Sequence, residues 1–292
     1  MKNATKGIVL VFIMALMLGG SIAYGQVAQP AESKVAAPAE SKWEFDVIPY
    51  SYMSALKGDV TIKGTKASVD MSFGDIWDNL KFGGMTHIEA KKDKWGLFLD
   101  ATNMKLETDI SGSRSFTGPL GQRTLELLAD ADISMEQLAI EFGGSYQFAK
   151  TPVGPDQGGM MYLDVLVGGR YWYLSTDVDI GLVLDGSGGT IAKNISQSGS
   201  KEWIDPFVGL RARIQLTKKL MLALRGDIGG FSVGSQFTWN ASGYFGYSLS
   251  EMVSLWAGYR ALGVDYRDGS GSNKFVYDVI FQGPAVGIGF RF

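Results

Sequence analysis

Charged side chains recur at every second position in several segments that otherwise consist of apolar, aromatic and glycine residues. Eight of them are acidic and six are basic, and every base is an arginine. A planar guanidinium group pairs with a carboxylate through two parallel hydrogen bonds, which suits a narrow space better than a mobile lysine does. The pattern therefore predicts a network of buried ion pairs. Its central members are Glu89, Asp100, Glu141, Asp164, Arg170, Asp205, Arg211, Arg213, Arg225, Asp227 and Arg260, and Glu44, Asp46 and Arg291 share their face.

His87 is the one histidine of the sequence, and it shares a face with Met85 and Glu89. An imidazole beside a carboxylate and a serine could act as a general base, as a lipid-modifying enzyme of the membrane would require. No nucleophile motif accompanies His87, however. We therefore expect a structural role for His87, no catalytic residues and no enzymatic activity, with a lipid-modifying enzyme as the alternative.

Metal and thiol chemistry have few candidate ligands in this sequence. There is no cysteine, which excludes thiolate sites, and one histidine leaves only scattered carboxylates. Asp75 and Asp78 flank Trp77 in a stretch whose apolar residues have helical spacing, which predicts the polar side of a short loop helix rather than a metal site. No metal and no cofactor is expected.

Alternation of apolar and polar residues with a period of two predicts ten strands that position these side chains. A count of eight or twelve is the alternative if residues 58–73 pair as a hairpin of their own. The predicted strands cover residues 43–54, 81–91, 95–107, 131–149, 160–175, 202–216, 220–232, 236–248, 252–267 and 275–292.

The connections between these strands differ in length according to their order. After even-numbered strands they are short, and after odd-numbered strands three of them, 55–80, 108–130 and 176–201, exceed twenty residues. This parity is typical of an all-β, transmembrane up-and-down antiparallel β-barrel with short periplasmic turns and long outer loops. An even strand number places both termini in the periplasm.

The two faces of single strands agree with a barrel in lipid. In 202–216, Ile204, Val208 and Leu210 share an apolar face, whereas Asp205 and Arg211 lie on the other. In a bilayer every backbone polar group needs a partner, so strands of this kind must close into a barrel. At the end of the sequence Val286, Ile288, Phe290 and Phe292 share one face. They predict the closing strand and the signal that the barrel assembly machinery reads.

The first 42 residues predict export. Lys2 and Lys6 precede an apolar run that is too short to cross a bilayer of roughly 30 Å, and Ala23-Tyr24-Gly25 forms a cleavage site, so residues 1–25 are expected to be a signal peptide. Residues 26–42 contain Pro-Ala-Glu-Ser-Lys twice and are expected to be a disordered periplasmic leader before a barrel of 43–292. Without Lys2 and Lys6, 25 basic residues face 30 acidic ones, which argues against a nucleic-acid partner.

Several stretches are similar to a known group of proteins. They are Trp43–Tyr50, Phe73–Leu80, Gly226–Ser235 with Phe237–Trp239, Gly258–Tyr266 and Gly283–Phe292. Together they resemble a widespread family of small Gram-negative outer-membrane β-barrel proteins that largely lack an assigned function. The resemblance implies the barrel fold and implies no activity.

Two functions remain open from the sequence. Ten strands with large side chains inside leave little room, which predicts either a narrow passive pore for small solutes or a plugged barrel with a structural or surface-interaction role. The expected location is the outer membrane. The expected partners are outer-membrane lipid and lipopolysaccharide, the barrel assembly machinery and, for the pore, small solutes.

Overall fold

The alternating segments fold into strands of one antiparallel sheet. The computed structural model describes residues 42–292 except 63, 118–123, 155–158 and 187–188. The predicted signal peptide, and the predicted leader apart from Lys42, lie outside the described residues. The strands are β1 Glu44–Tyr52, β2 Ala55–Ile62, β3 Thr65–Met71, β4 Leu80–Lys92, β5 Trp95–Thr117, β6 Thr124–Val153, β7 Gly159–Gly186, β8 Gly189–Gln215, β9 Leu220–Gly229, β10 Phe237–Ser248, β11 Val253–Asp268 and β12 Phe275–Arg291.

Ten of these strands close into a ring. Each strand from β4 to β12 pairs with the next one, and β1 pairs with both β4 and β12. At the seam Asp46 lies opposite Arg291, and on the other side of β1 Glu44 lies opposite Lys91. The prediction of an antiparallel up-and-down barrel with about ten strands is therefore confirmed.

The hairpin of β2 and β3 is attached to the ring without enlarging it. β2 continues the path of β1 and pairs with the first half of β12, and β3 pairs with β2. The sheet thus contains twelve strands in the described residues, although its ring contains ten. The predicted loop 55–80 instead contains this hairpin and a helix. The alternative of a separate hairpin within 58–73 is therefore confirmed, and it gives twelve strands in the sheet.

Helix α1, Phe73–Asp78, follows the hairpin. Its capping box consists of Ser72, whose hydroxyl accepts a hydrogen bond from the Asp75 backbone N–H, and Asp75, whose carboxylate accepts one from the Ser72 backbone N–H. Ile76 is buried, whereas Trp77 is exposed. Asp75 therefore serves helix initiation, as expected for the polar side of a short helix. A short 3-10 helix covers Gly271–Asn273. No helix in the described part of the chain is long and apolar enough to cross a membrane.

Four strands extend well beyond the ring and form what we call the β5–β8 arm, residues 108–117, 124–135, 176–186 and 189–200. A transmembrane strand needs about 9–11 residues, yet β6 has 30. The prediction of long outer loops at 108–130 and 176–201 is therefore wrong for most of these residues. Successive residues from Thr190 to Asn194 are all exposed. Apolar alternation does not mark a strand that has water on both faces.

The outer surface of the ring is apolar. The exposed side chains on this surface include Leu97, Phe142, Val167, Ile204, Val208, Leu210, Leu224, Phe245, Leu255, Tyr259, Val286, Ile288 and Phe290. The apolar face predicted for 202–216 is thus the outer one, and its polar face lines the lumen. A closed barrel with such an exterior spans a bilayer, because its backbone is fully paired and its outer side chains suit lipid.

The β5–β8 arm carries an acidic row. Asp109, Asp132 and Asp179 lie directly opposite one another on β5, β6 and β7. A hydrogen bond with Asp109 is the main factor that raises the pKa of Asp132 above 3.8, followed by partial desolvation and the charges of Asp179 and Asp130. Since the folded arm binds this proton more tightly than an unfolded chain does, the repulsion is complete above the raised pKa and is relieved as the pH falls through it.

We expect Asp109→Asn to lower the pKa of Asp132 toward 3.8, because it removes the largest cause of the shift. A carboxyl-detected NMR titration of the full chain would measure the midpoint. Asp93→Asn, at an exposed turn on the other end of the barrel, is the control and should leave it unchanged. An unshifted midpoint in Asp109→Asn would refute the cross-strand row.

The apolar exterior predicts a second outcome. Leu224 faces outward from the middle of β9, between Ala212 on β8 and Gly243 on β10. Leu224→Arg should cost about 2–4 kcal/mol of folding free energy in a bilayer, measured as the loss of the folded band in unheated gel samples. Leu249→Arg is the matched control, since Leu249 is exposed in the turn after β10. Equal tolerance of both changes would contradict the assignment of the lipid-facing side.

Candidate functional site

The centre of the lumen is crossed by a layer of paired charges that we call the arginine layer, Arg170, Arg225 and Arg260 with Asp100, Glu141 and Asp227. Arg170 is fully buried. Its Nε donates to Glu141 Oε1 at 3.1 Å, and its Nη2 donates to Asp227 Oδ1 at 2.8 Å. Its Nη1 donates to Thr238 Oγ1 at 2.8 Å. Three strands of the ring thereby hold this one guanidinium.

Glu141 is the shared acceptor of the arginine layer. Besides Arg170, it accepts a hydrogen bond from Arg225 Nη2 at 2.7 Å and one from Arg260 Nη2. Arg260 also donates from Nη1 to Asp100 Oδ1 at 3.2 Å. Because β6, β7, β9 and β11 supply Glu141 and the three arginines, the layer ties distant parts of the wall together.

Aromatic rings support the arginine layer from one side. The Arg225 guanidinium lies 5.5 Å from the Phe98 ring centroid and 5.4 Å from that of Phe207, which is cation–π distance. Gly143 and Gly168 make room for these rings. A Cβ atom added at either glycine would approach the nearer ring to 2.9 Å. Each glycine lies directly opposite its ring on the neighbouring strand, so the ring can lie flat over it.

A second group of charges lies closer to the end of the barrel that carries Glu44 and Arg291, and we call it the lower cluster, Lys91, Arg211, Arg213, Glu89 and Asp164. Arg211 binds Glu89 in a bidentate manner at 2.7 and 3.0 Å. Asp164 accepts from Arg211 Nε at 2.9 Å and from Arg213 Nε at 3.0 Å. Lys91 Nζ is 3.0 Å from Glu89.

His87 connects the two groups of charges. Its Nδ1 lies 3.2 Å from Asp100 Oδ2, in the arginine layer. Its Nε2 lies 3.9 Å from Glu89 Oε2, in the lower cluster. The sequence placed His87 and Glu89 on one face. It could not predict the contact between His87 and Asp100, because Asp100 belongs to the neighbouring strand β5.

Asp205 departs from the predicted network. No arginine of the described residues forms an ion pair with it. Its carboxylate accepts from Trp172 Nε1 at 3.0 Å and from the Ser235 backbone N–H at 2.6 Å. Asp205 therefore anchors the turn between β9 and β10, where Gly230 has a φ of +85°. Strand β9 consequently ends at Gly229, three residues before the predicted boundary.

The half of the lumen nearer to the β5–β8 arm is filled by apolar side chains. Trp172 and Trp203 stack at 5.9 Å, and Trp203 stacks on Tyr266 at 4.0 Å. We call this packed group the apolar layer; it also contains Tyr52, Leu56, Ile76, Met104, Leu106, Leu174, Leu262, Val264, Tyr277, Val279 and Phe281. Sequence reasoning missed it, because alternation within single strands does not show which side chains of different strands pack together, and Leu56 and Ile76 lie in a predicted loop.

Below the arginine layer the lumen opens into a cavity of about 640 Å³, which we call the vestibule. It widens toward the end of the barrel where Glu44, Asp46 and Arg291 lie. Asp46 and Arg291 form a pair at the mouth, with Arg291 Nε donating to Asp46 Oδ1 at 2.8 Å. The charged lining of the vestibule can recognise a molecule by its charge. Among the described residues, no group of three or more His, Cys, Asp or Glu side chains is arranged to hold a metal ion.

The closing strand occupies the position that its sequence predicted. Val286 and Phe290 of β12 lie opposite Ser51 and Val47 of β1, which completes the ring. Their side chains and that of Ile288 are exposed on the outer surface. Phe292 follows the strand, and its backbone pairs with Phe45. A role for these residues as an assembly signal stays a prediction.

No protein-family model matches the chain, and no curated protein matches its sequence. Solved structures that resemble it are outer-membrane proteins. Ail of Yersinia pestis, solved with the heparin analogue sucrose octasulfate, is 13% identical over 87% of this chain and 99% of Ail, with a TM-score of 0.29. The translocator domain of the autotransporter NalP from Neisseria meningitidis is 13% identical over 87% of this chain and 90% of that domain, with a TM-score of 0.36.

A Pseudomonas aeruginosa FadL homologue is 8% identical over 87% of this chain and 90% of its own, with a TM-score of 0.26. At these identities and TM-scores the similarity transfers no ligand, activity or fold assignment to this chain. The chain is an outer-membrane β-barrel by its architecture. Its membership of the family that the sequence resembles, and the periplasmic position of its termini, stay predictions.

The arginine layer predicts a large cost for losing one partner. Arg170→Ala leaves Glu141 and Asp227 short of a buried cation, so the free energy of unfolding should fall by about 3–5 kcal/mol. Urea unfolding of the refolded protein in lipid would measure it. The matched control is Arg267→Ala, which breaks an exposed pair with Asp265 and should cost less than about 1 kcal/mol. A similarly small loss of unfolding free energy in both variants would show that water solvates the arginine layer.

Proposed function

We propose that this protein is an outer-membrane barrel with a sealed lumen, which acts as a structural and surface-interaction protein and has no pore or enzyme activity. The observation that carries the proposal is the pair of layers inside the barrel. The arginine layer closes the lumen electrostatically, and the apolar layer closes it by packing.

A pore needs a continuous path for water, and each of the two layers interrupts such a path in a different way. Arg170, Glu141 and Asp227 form hydrogen bonds with one another and with their neighbours, and each is at most 5% exposed. Beyond them, stacked indole rings offer an ion no compensation for its lost hydration. A solute in the vestibule would therefore have to break buried ion pairs and then displace packed side chains.

The β5–β8 arm supports the surface-interaction part of the proposal. On β8, residues 190–194 and 196–200 are all exposed, so this part of the arm does not serve the core of the barrel. On the outside of the ring, the apolar surface suits outer-membrane lipid and lipopolysaccharide as its surroundings. The same closing strand that completes the ring is the natural segment for the barrel assembly machinery to engage.

The lipid-modifying enzyme has less support than the sealed barrel. The hydrogen-bond and ion-pair partners of His87 in the described structure are carboxylates, and none is a serine. His87 also lies inside the lumen beside the vestibule, whereas a lipid substrate would arrive from the outer surface. We therefore propose that the protein is not an enzyme.

Conductance in planar bilayers tests the sealed lumen. The refolded full-length barrel should give no stepwise current above that of the bare membrane, while a large open porin in the same set-up gives clear steps. Arg225→Ala is the informative variant, because it removes one cation from the arginine layer. Stable wild-type steps whose selectivity shifts toward cations in Arg225→Ala would establish a pore and overturn the proposal.

A further inference from the structure

In the lower cluster, the cationic side chains are more exposed to the vestibule than their carboxylate partners are. The side chains of Lys91 and Arg213 are 18% and 19% exposed, whereas those of Glu89 and Asp164 are 6% and 2% exposed. Within the lower cluster the charges nearest to water are therefore positive, whereas the carboxylates exposed in the vestibule lie nearer to its mouth.

The lower cluster also has an unequal number of charges. Lys91, Arg211 and Arg213 share two carboxylates, Glu89 and Asp164. The arginine layer is balanced, with three arginines and three carboxylates, and the pair at the mouth, Asp46 with Arg291, is neutral. One positive charge of the lower cluster therefore has no counter-charge of its own within these groups.

An uncompensated charge in a narrow lumen is costly, and a bound anion would reduce that cost. Carboxylates do occur at the rim, in Glu44, Asp93 and Glu251. They are exposed, so water and salt screen their effect on the lower cluster. Glu44 lies opposite Lys91 on the neighbouring strand, but in the described part of the chain these two side chains form no ion pair. An anion inside the vestibule could instead contact Lys91 and Arg213 directly.

Hydrogen-bond donors are available for such an anion. Arg213 uses Nε and Nη2 on Asp164, and within the described residues its Nη1 donates to no protein group. Lys91 Nζ contacts one carboxylate and has three hydrogens to donate. Both side chains line the vestibule.

The remaining wall of the vestibule suits an organic body. Tyr162, Tyr244 and Trp256 contribute aromatic surface, and the volume of about 640 Å³ lies in the usual range for a small-molecule site. We propose that the vestibule binds a small organic anion, with its oxyanion group at Lys91 and Arg213 and its apolar body against these aromatic side chains. Binding does not require transport, because the arginine layer forms the floor of the site.

Isothermal titration of the refolded full chain in detergent with benzoate, and with the neutral isostere benzamide, tests this proposal. Benzoate should bind saturably at one site, and benzamide should bind at least about tenfold more weakly, the equivalent of one hydrogen bond to a charged group. No saturable benzoate binding, or equal binding of both compounds, would overturn it.

Variants locate the site. Arg213→Gln and Lys91→Gln should each weaken benzoate binding by about tenfold or more. Both variants should fold, because Arg211 still holds Asp164 and Glu89. Arg267→Gln, an exposed arginine near the opposite end of β11, is the matched control and should bind benzoate like the wild type. Unchanged affinity in both vestibule variants would place the binding elsewhere and refute the proposal. The benzoate result is independent of the conductance result, so each proposal can fail alone.

Discussion

A charge buried inside a membrane barrel is costly unless an opposite charge or several hydrogen-bond donors compensate it, and Glu141 compensates three arginines at once. Arg170, Arg225 and Arg260 come from three different strands and converge on its two oxygens. Removing Glu141 would leave three buried cations with less compensation, whereas the exposed pair of Arg267 with Asp265 could be lost with little effect. This one carboxylate therefore links β6 to β7, β9 and β11 through side chains across the lumen.

The rest of the lumen is arranged around that constraint. Gly143 and Gly168 admit the rings of Phe98 and Phe207, which support the guanidinium groups from the side. Above the charges, Asp205 turns away from the arginines and holds Trp172 and the turn at Ser235, which fixes the apolar layer. Below them, Lys91 and Arg213 are only partly compensated and face water. The lumen thus combines a layer of paired charges with a vestibule that contains partly exposed cations.

Sequence reasoning predicted the ring, the faces and most inward-facing charges, because a strand in lipid must alternate and a ladder must close. Leu210 and Arg211 could be assigned to opposite sides from their spacing alone. The parts of the strands beyond the ring could not be predicted in this way, because residues such as Thr190 to Asn194 have water on both sides and show no apolar alternation. The sequence also did not show which charged side chains pair with each other. Whether Asp205 meets an arginine or an indole depends on register between strands, which single-strand periodicity does not contain.

The account rests on a barrier between the vestibule and the arm side of the lumen, and thiol labelling tests that barrier directly. The chain has no cysteine, so Ser242→Cys introduces one thiol on the vestibule wall, between Arg225 and Arg260. In proteoliposomes of known orientation, a membrane-impermeant thiol reagent should modify this cysteine only from the side on which the chain termini of the barrel lie. Modification at a comparable rate from the arm side would show an open path and contradict a sealed lumen.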